Sequence, residues 1–180
     1  MLIAGIDPGL SGAIALRDTD DGSMRVVDIP TFSLSRNGKN KREIDAVTLS
    51  IMLDLSIGHA FVEQVGAMPH QGVSGVFAFG KSYGIIIGVL AARGVPMTFV
   101  NPRVWKKSLG VPAAKDGARA RASQLMPSSA EWWTRVKDDG RAEAALIAYW
   151  GIRSLAGIGK TMPAKLAPPH KLGPLFAERS

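Results

Sequence analysis

The 180-residue chain contains no cysteine. That excludes a disulfide framework, a thiol nucleophile and a cysteine zinc site together. A thiol-free chain fits a reducing compartment, and a cytoplasmic location is expected. Long apolar runs are also missing. The longest uncharged one, around residues 84–92, falls far short of the ~20 residues of a membrane span, so no membrane role is expected. The N-terminal segment MLIAG lacks the basic start of a signal peptide. What remains is ordinary globular composition, with 46% hydrophobic and 21% charged residues, in a length suited to one compact domain.

Charge is distributed unevenly. The net charge is +7, yet residues 1–100 hold 8 basic and 9 acidic groups while residues 101–180 hold 14 and 6. Such an excess points to a polyanionic partner, most simply nucleic acid. A second basic cluster, Arg36, Lys39, Lys41 and Arg42, lies in the first half.

The apolar run Leu2–Ile6 ends on Asp7-Pro8-Gly9, the pattern of a buried strand closing on a turn. Residues 11–16 and 24–29 read as two more strands joined antiparallel by short links. Residues 33–42 read as a polar loop. Apolar residues at 44, 47, 51, 52 and 55 predict a helix over 43–57. A short strand at 60–62 delivers Glu63, and a Gly-rich loop at 66–72 follows. Helices are expected over 74–92, 102–109, 114–126 and 140–155, with a strand at 97–100. The expected fold is therefore α/β, a mixed five-stranded sheet flanked by helices. Residues 157–180, rich in Gly, Pro and Lys, are expected to be a mobile basic tail. Gly80, Gly84 and Gly88 recur along one face of the 74–92 helix. Either another helix approaches there, across a dimer interface, or the helix packs closely on its own sheet.

The chemistry lies in acids at element ends. Asp7 ends the first strand and Glu63 the fourth. Asp139 and Glu143, four apart, leave the last helix on one face; Asp138 is turned off it. Converging carboxylates repel unless cations lie between them. Oxygen donors select Mg²⁺, with Mn²⁺ as a substitute. Two such ions about 4 Å apart would serve phosphodiester hydrolysis by water.

Several segments are familiar. Gly5-Ile6-Asp7-Pro8-Gly9-Leu10-Ser11-Gly12-Ala13 resembles the opening of RuvC-like Holliday junction resolvases, as does Phe61-Val62-Glu63-Gln64-Val65 with the loop 68–72 behind it. Residues 77–84 and Trp105-Lys106-Lys107-Ser108-Leu109-Gly110 are similar to the phage and prophage branch, and Asp139-Gly140-Arg141-Ala142-Glu143-Ala144 to the family's last-helix motif. The resemblance spans about residues 1–156. It implies a ribonuclease-H-like fold and a homodimeric, metal-dependent endonuclease that nicks four-way DNA junctions in symmetric pairs. Other branched DNA, such as forks and flaps, or a non-catalytic DNA-binding module, are the alternatives.

The resemblance also places the metal on Asp7, Glu63, Asp139 and Glu143. The bacterial resolvases typically space the last two acids by three, and three before Glu143 stands Gly140. Asp139 is therefore the expected fourth ligand and Asp138 the fallback. Lys106, Lys107 and Lys115 correspond to lysines near the scissile phosphate. Arg119 and Arg121 continue that positive surface, and Arg36, Lys39, Lys41, Arg42 and Lys81 add phosphate contacts. Phe77, Phe79 and Tyr83 are candidates for stacking on an opened base. His70 is read as an ordinary loop residue, and Trp132 and Trp133 as packing residues.

Overall fold

The structure is a computed structural model, and it describes residues 1–36, 38–53, 56–66 and 72–157. The strands β1 (Leu2–Ile6), β2 (Ala13–Asp18) and β3 (Met24–Asp28) form an antiparallel meander. β4 (Thr31–Arg36) and β5 (Lys39–Ile44) pair with each other as a separate ribbon. Helix α1 (Ala46–Met52) leads to β6 (Ile57–Glu63), which pairs parallel to β1. Helix α2 (Val73–Ala92) leads to β7 (Met97–Val100), parallel to β6. The main sheet thus runs β3-β2-β1-β6-β7. Helices α3 (Pro102–Leu109), α4 (Gly117–Leu125) and α5 (Asp139–Gly157) complete the chain, with tight 3₁₀ turns over 127–133 and 136–138. The five-stranded mixed sheet with helices on both faces matches expectation.

Two expectations fail locally. Residues 33–42 are not a loop but most of the β4–β5 ribbon. Its strands alternate, and Gly38 adopts φ 71° between paired Arg36 and Lys39. The expected helix over 43–57 shrinks to α1 because the chain is still in β5 at Ile44. Asp45 then caps the helix, its Oδ1 accepting from the amides of Val47 and Thr48 at 3.1 and 3.0 Å, a cap worth about 1 kcal/mol. The expected tail lies, beyond Gly157, outside the described residues, as does the loop 67–71 with His70.

Alternation along the strands divides the core in two. Ala4, Ile6, Ala60 and Val62 face α1 and α2, where Leu49, Ile86 and Leu90 cover them. Ile3, Phe61, Ala13 and Ala15 face the other way, toward α3, α4 and α5. On that second face Gly5 follows Ile3. A Cβ built at Gly5 would fall on the Ala144 carbonyl and the Ala148 amide of α5. The helix backbone therefore rests almost directly on β1. Its own contact residues are small, Ala142, Ala144, Ala145 and Ala148 all being fully buried.

Helix α2 faces two ways. Ser82, Ile86 and Leu90 point into the sheet. Gly80, Gly84 and Gly88 lie about half a turn away, and a Cβ at any of them meets nothing within 4 Å. These glycines do not serve packing on the chain's own sheet. Among the described residues, α2 is also long and apolar enough to cross a membrane by length and composition, more than the run at 84–92 suggests.

Gly5→Val is expected to cost about 3 kcal/mol, since the added side chain meets helix backbone that cannot yield locally. Urea unfolding of the variant against the parent checks this. A loss within 0.5 kcal/mol, which is about the ordinary range for a surface change, would show that α5 shifts without penalty.

Candidate metal centre

The same alternation that sends Ile3 and Gly5 toward α5 carries Asp7, just past the end of β1, in that direction. Phe61 and Glu63 do likewise on β6, and Ile6 pairs with Val62. Parallel neighbours in this register bring Asp7 and Glu63 side by side under α5, and α5 supplies Glu143. One oxygen from each of Asp7, Glu63 and Glu143 lies within 4.8 Å of the others. Asp7 is half-buried, and Glu63 is 9% exposed.

Two side chains from α3 complete the group. Asn101 caps α3, accepting from the Arg103 amide at 2.9 Å, and Pro102 occupies its first turn. The next turn presents Trp105, fully buried, whose Nε1 donates to Glu63 Oε1 at 3.1 Å. Lys106 Nζ donates to Glu143 Oε1 at 2.6 Å and stands 5.1 Å from the Trp105 ring centroid.

Electrostatics follow from the crowding. Burial, then the charges of Glu143 and Glu63, push the Asp7 carboxyl up to about 7. Burial and the Glu143 charge raise Glu63 as well, against the Lys106 charge and the Trp105 bond. Burial pulls the Lys106 ammonium down, but the bond to Glu143 and the charges of Glu143, Glu63 and Asp7 outweigh it, so its pKa rises. The donors are all carboxylate oxygens, converging and mutually repelling. That set fits a hard divalent cation, which would remove the repulsion.

The remaining acids of the expected site part company. Asp138 is buried at 4% exposure and takes hydrogen bonds from Arg135 N, Nε and Nη2 at 2.8–3.0 Å. The Arg135 bond holds its carboxyl below the usual range. It anchors the turn ahead of α5, so the fallback assignment to Asp138 is corrected: its oxygens are already engaged. Asp139 stands outside the group of three and pairs with Arg119, Nε to Oδ1 2.7 Å. Gly140 fits against the turn after β1, where a Cβ would lie 2.7 Å from the Ser11 carbonyl oxygen and 2.9 Å from Asp7 Oδ2.

The basic candidates also sort. Lys106, Lys115, Asp139 and Glu143 line one cavity of about 470 Å³. Lys107 and Lys115 are exposed. Arg121 is spent internally, on the Leu109 carbonyl at 2.5 Å and Gln124 Oε1 at 2.9 Å, so its place on a free positive surface is corrected. Lys81 pairs with Glu43 at 2.5 Å, tying α2 to the ribbon. Lys41 and Arg42 are exposed on β5, and Arg42 Nη2 donates to Ser11 Oγ at 2.9 Å, four residues from Asp7. Arg36 and Lys39 are register partners in the backbone pairing on either side of the ribbon turn. Phe77 is 74% exposed. Phe79 is partly buried, and Tyr83 packs on Phe99 at 6.2 Å between centroids, a core position rather than a free stacking face. Trp133 is buried and Trp132 packs beside it, as expected.

Sequence reasoning missed Trp105 and the Arg42–Ser11 link. Trp105 sits directly before Lys106, and an indole donor is rarely buried without an acceptor; that was the available signal.

Comparison with solved structures gives a TM-score of 0.57 with a RuvC described as "T. thermophilus RuvC in complex with Holliday junction substrate", at 16% identity over 87% of this chain and 97% of that one. The chain has the RuvC fold. A second Thermus thermophilus RuvC structure superposes with a TM-score of 0.53, also at 16% identity, over 85% and 96%. In sequence the chain is 31% identical over 96 residues to the chloroplastic Holliday junction resolvase MOC1 of Chlamydomonas reinhardtii. That match covers 52% of this chain and only 11% of the relative's length. No protein-family model matches. In this fold the carboxylate group is carried by the ends of β1 and β6 and by α5.

The folded-state pKa of Asp7 lies above its ordinary value. Between about pH 4 and about pH 7, then, the unfolded chain has shed a proton that the folded chain retains, and ion-free stability falls as pH rises through that window. Asp7→Asn removes the penalty. In chelator at pH 7.5 the variant is expected to be more stable than the parent by on the order of 1–3 kcal/mol, with the gap closing near pH 4. Urea titrations at the two pH values decide it; an equal difference at both would remove the electrostatic account.

Proposed function

We propose that the chain is a divalent-cation-dependent endonuclease that cuts branched DNA, with the four-way junction as its substrate. The observation that carries this reading is the convergence of Asp7, Glu63 and Glu143, with Lys106 beside them, on a RuvC-like scaffold. The junction named in the descriptions of the RuvC complex and of the MOC1 relative supports the choice of substrate.

Mg²⁺, with Mn²⁺ as substitute, suits the all-oxygen donors, and two such ions would activate water and neutralise charge on a phosphodiester. Everything else falls to the chain. Glu63 is oriented by the Trp105 indole, and Asp7 by its position just past the strand end. Lys106, held at Glu143, is placed to meet a phosphate oxygen on the rim of the same cavity. Lys107, Lys115, Lys41 and Arg42 would add sequence-independent, salt-sensitive grip. Phe77 offers an exposed ring for an unpaired base.

Paired nicks need two active centres. The outward row Gly80, Gly84 and Gly88 on α2, where a built Cβ meets nothing within 4 Å among the described residues, suits close approach of the same helix from a second copy. Close helix contacts of this kind use small residues. The apolar character of α2 then belongs to a homodimer interface, with no membrane involved.

Two measurements follow. With Mg²⁺ the protein is expected to place paired nicks in a synthetic four-way junction, and Asp7→Asn to bind that junction without cutting. Equal cutting of forks, flaps or linear duplex would remove the junction preference, and no cutting with Mg²⁺ or Mn²⁺ would overturn the enzyme. Sedimentation at micromolar concentration is expected to give a dimer, and Gly84→Leu to weaken it at least ~10-fold through lost close packing, its circular dichroism unchanged. A dimer indifferent to Gly84→Leu would place the interface elsewhere.

A further inference from the structure

Helix α5 carries a second carboxylate that the cluster does not use. Asp139 precedes Glu143 by about one turn, so both leave the helix on one face. Both also line the cavity that Lys106 and Lys115 border. Yet only Glu143 reaches the group of three. Asp139 is held by Arg119 of α4, Nε to Oδ1 2.7 Å, with the Arg119 side chain 18% exposed and that of Asp139 40% exposed.

Position 140 offers no substitute. A side chain there would run into the Ser11 carbonyl oxygen, the Gly12 Cα and the Asp7 carboxylate. Asp138 is committed to Arg135. If α5 is to present a fourth carboxylate, it must be Asp139, and Arg119 stands in the way.

We infer that Arg119 is a positioning residue: it holds Asp139 off the Asp7–Glu63–Glu143 cluster until a phosphate group takes its guanidinium. The inference rests on reading the cluster as a cation site. Its chemistry is exchange between like partners, because a guanidinium fork binds carboxylate and phosphate oxygens in the same geometry. Charge supports it. Three ionised carboxylates and the Lys106 ammonium leave two negative charges, the complement of one divalent ion. Freeing Asp139 adds another negative charge, and withdrawal of Lys106 to a phosphate adds one more, together the complement of two ions. The DNA-free protein is thus set for one cation, and phosphate entry prepares it for a second.

The test is Mn²⁺ binding without DNA at pH 8, followed by calorimetry and by the free-Mn²⁺ electron paramagnetic resonance signal. The parent is expected to bind one Mn²⁺ per chain tightly and a second weakly. Arg119→Gln is expected to tighten the second site about 10-fold, the scale of one hydrogen bond to a charged group. Arg119→Met, which keeps the half-buried stem, is expected to do the same, and Arg119→Lys to behave as the parent. In an Asp139→Asn background the effect of Arg119→Gln is expected to vanish. If the gain persists there, Arg119 acts only through its field and the inference is overturned. It is overturned too if neither Arg119→Gln nor Arg119→Met changes the second site. No Mn²⁺ binding by parent or variants would bring down the cation-site reading itself, and the inference with it. Tight binding of one ion that Asp7→Asn abolishes keeps that reading standing whatever Arg119 does.

Discussion

Helix α5 lies nearer to strand β1 than any side chain at position 5 would allow. Gly5 leaves the strand bare where the Ala144 carbonyl and Ala148 amide settle on it, and Gly140 repeats the arrangement one level up, against the Asp7–Gly12 turn. The alanines of α5 make the same accommodation from the helix side. The site depends on this approach. Glutamate reaches only a few ångströms from its backbone, so Glu143 meets Asp7 and Glu63 because the helix axis is already close. With the helix kept at the usual distance by a valine, the chain would hold the same three acids and no cluster.

Close approach sets up a conflict that the local chemistry only partly relieves. Buried carboxylates in contact resist ionisation, and the Asp7 carboxyl rises to about 7 as a result. Lys106 answers some of that charge through Glu143, and the Trp105 indole answers some at Glu63. Both come from one helical turn, fixed by Asn101 and Pro102 at the start of α3. Arg119 answers Asp139 from α4. Three donors from two helices thus offset the charge of these acids, Trp105 as a fixed buried donor and Lys106 and Arg119 from partly exposed side chains.

Much of this was legible in sequence, for a definite reason. Strand ends and helix turns place side chains by arithmetic, so Asp7, Glu63 and Glu143 meet at one spot once the first and fourth predicted strands are neighbours, the condition that the family resemblance supplied. The sheet was readable because LIAGI and AFV are continuous apolar runs. The β4–β5 ribbon was not, because its alternation is carried by few apolar residues, Phe32, Leu34 and Ile44, among charges that read as a solvated loop. The Asn37-Gly38 pair was the signal available. The state of Asp139 was also out of reach. Spacing puts it on the face of Glu143 but says nothing of Arg119, twenty residues earlier in the chain and on another helix. The partners of Asp138 and Arg121 were out of reach for the same reason: Arg135 and the Leu109 carbonyl meet them through the packing of turns.

The basic surplus needs the same discount. Counted along the chain, residues after 100 carry a large positive excess. In the fold, Arg135 and Arg141 are tied to Asp138 and Asp28, and Arg121 to backbone. Among the described residues, Arg103 and Lys115 are exposed cations lining the cavity, Lys107 is exposed on α3, and Lys41 and Arg42 are exposed on the ribbon. Arg42 is a special case, since its bond to Ser11 couples the ribbon to the turn that carries Asp7. A phosphate drawn to Arg42 would compete with Ser11 for that guanidinium and so act on the turn that follows Asp7. Among the described residues the positive surface is therefore smaller than the charge count implies and more closely joined to the acids, since Lys106 and Arg119 are bonded to Glu143 and Asp139 and Arg42 to the turn that follows Asp7.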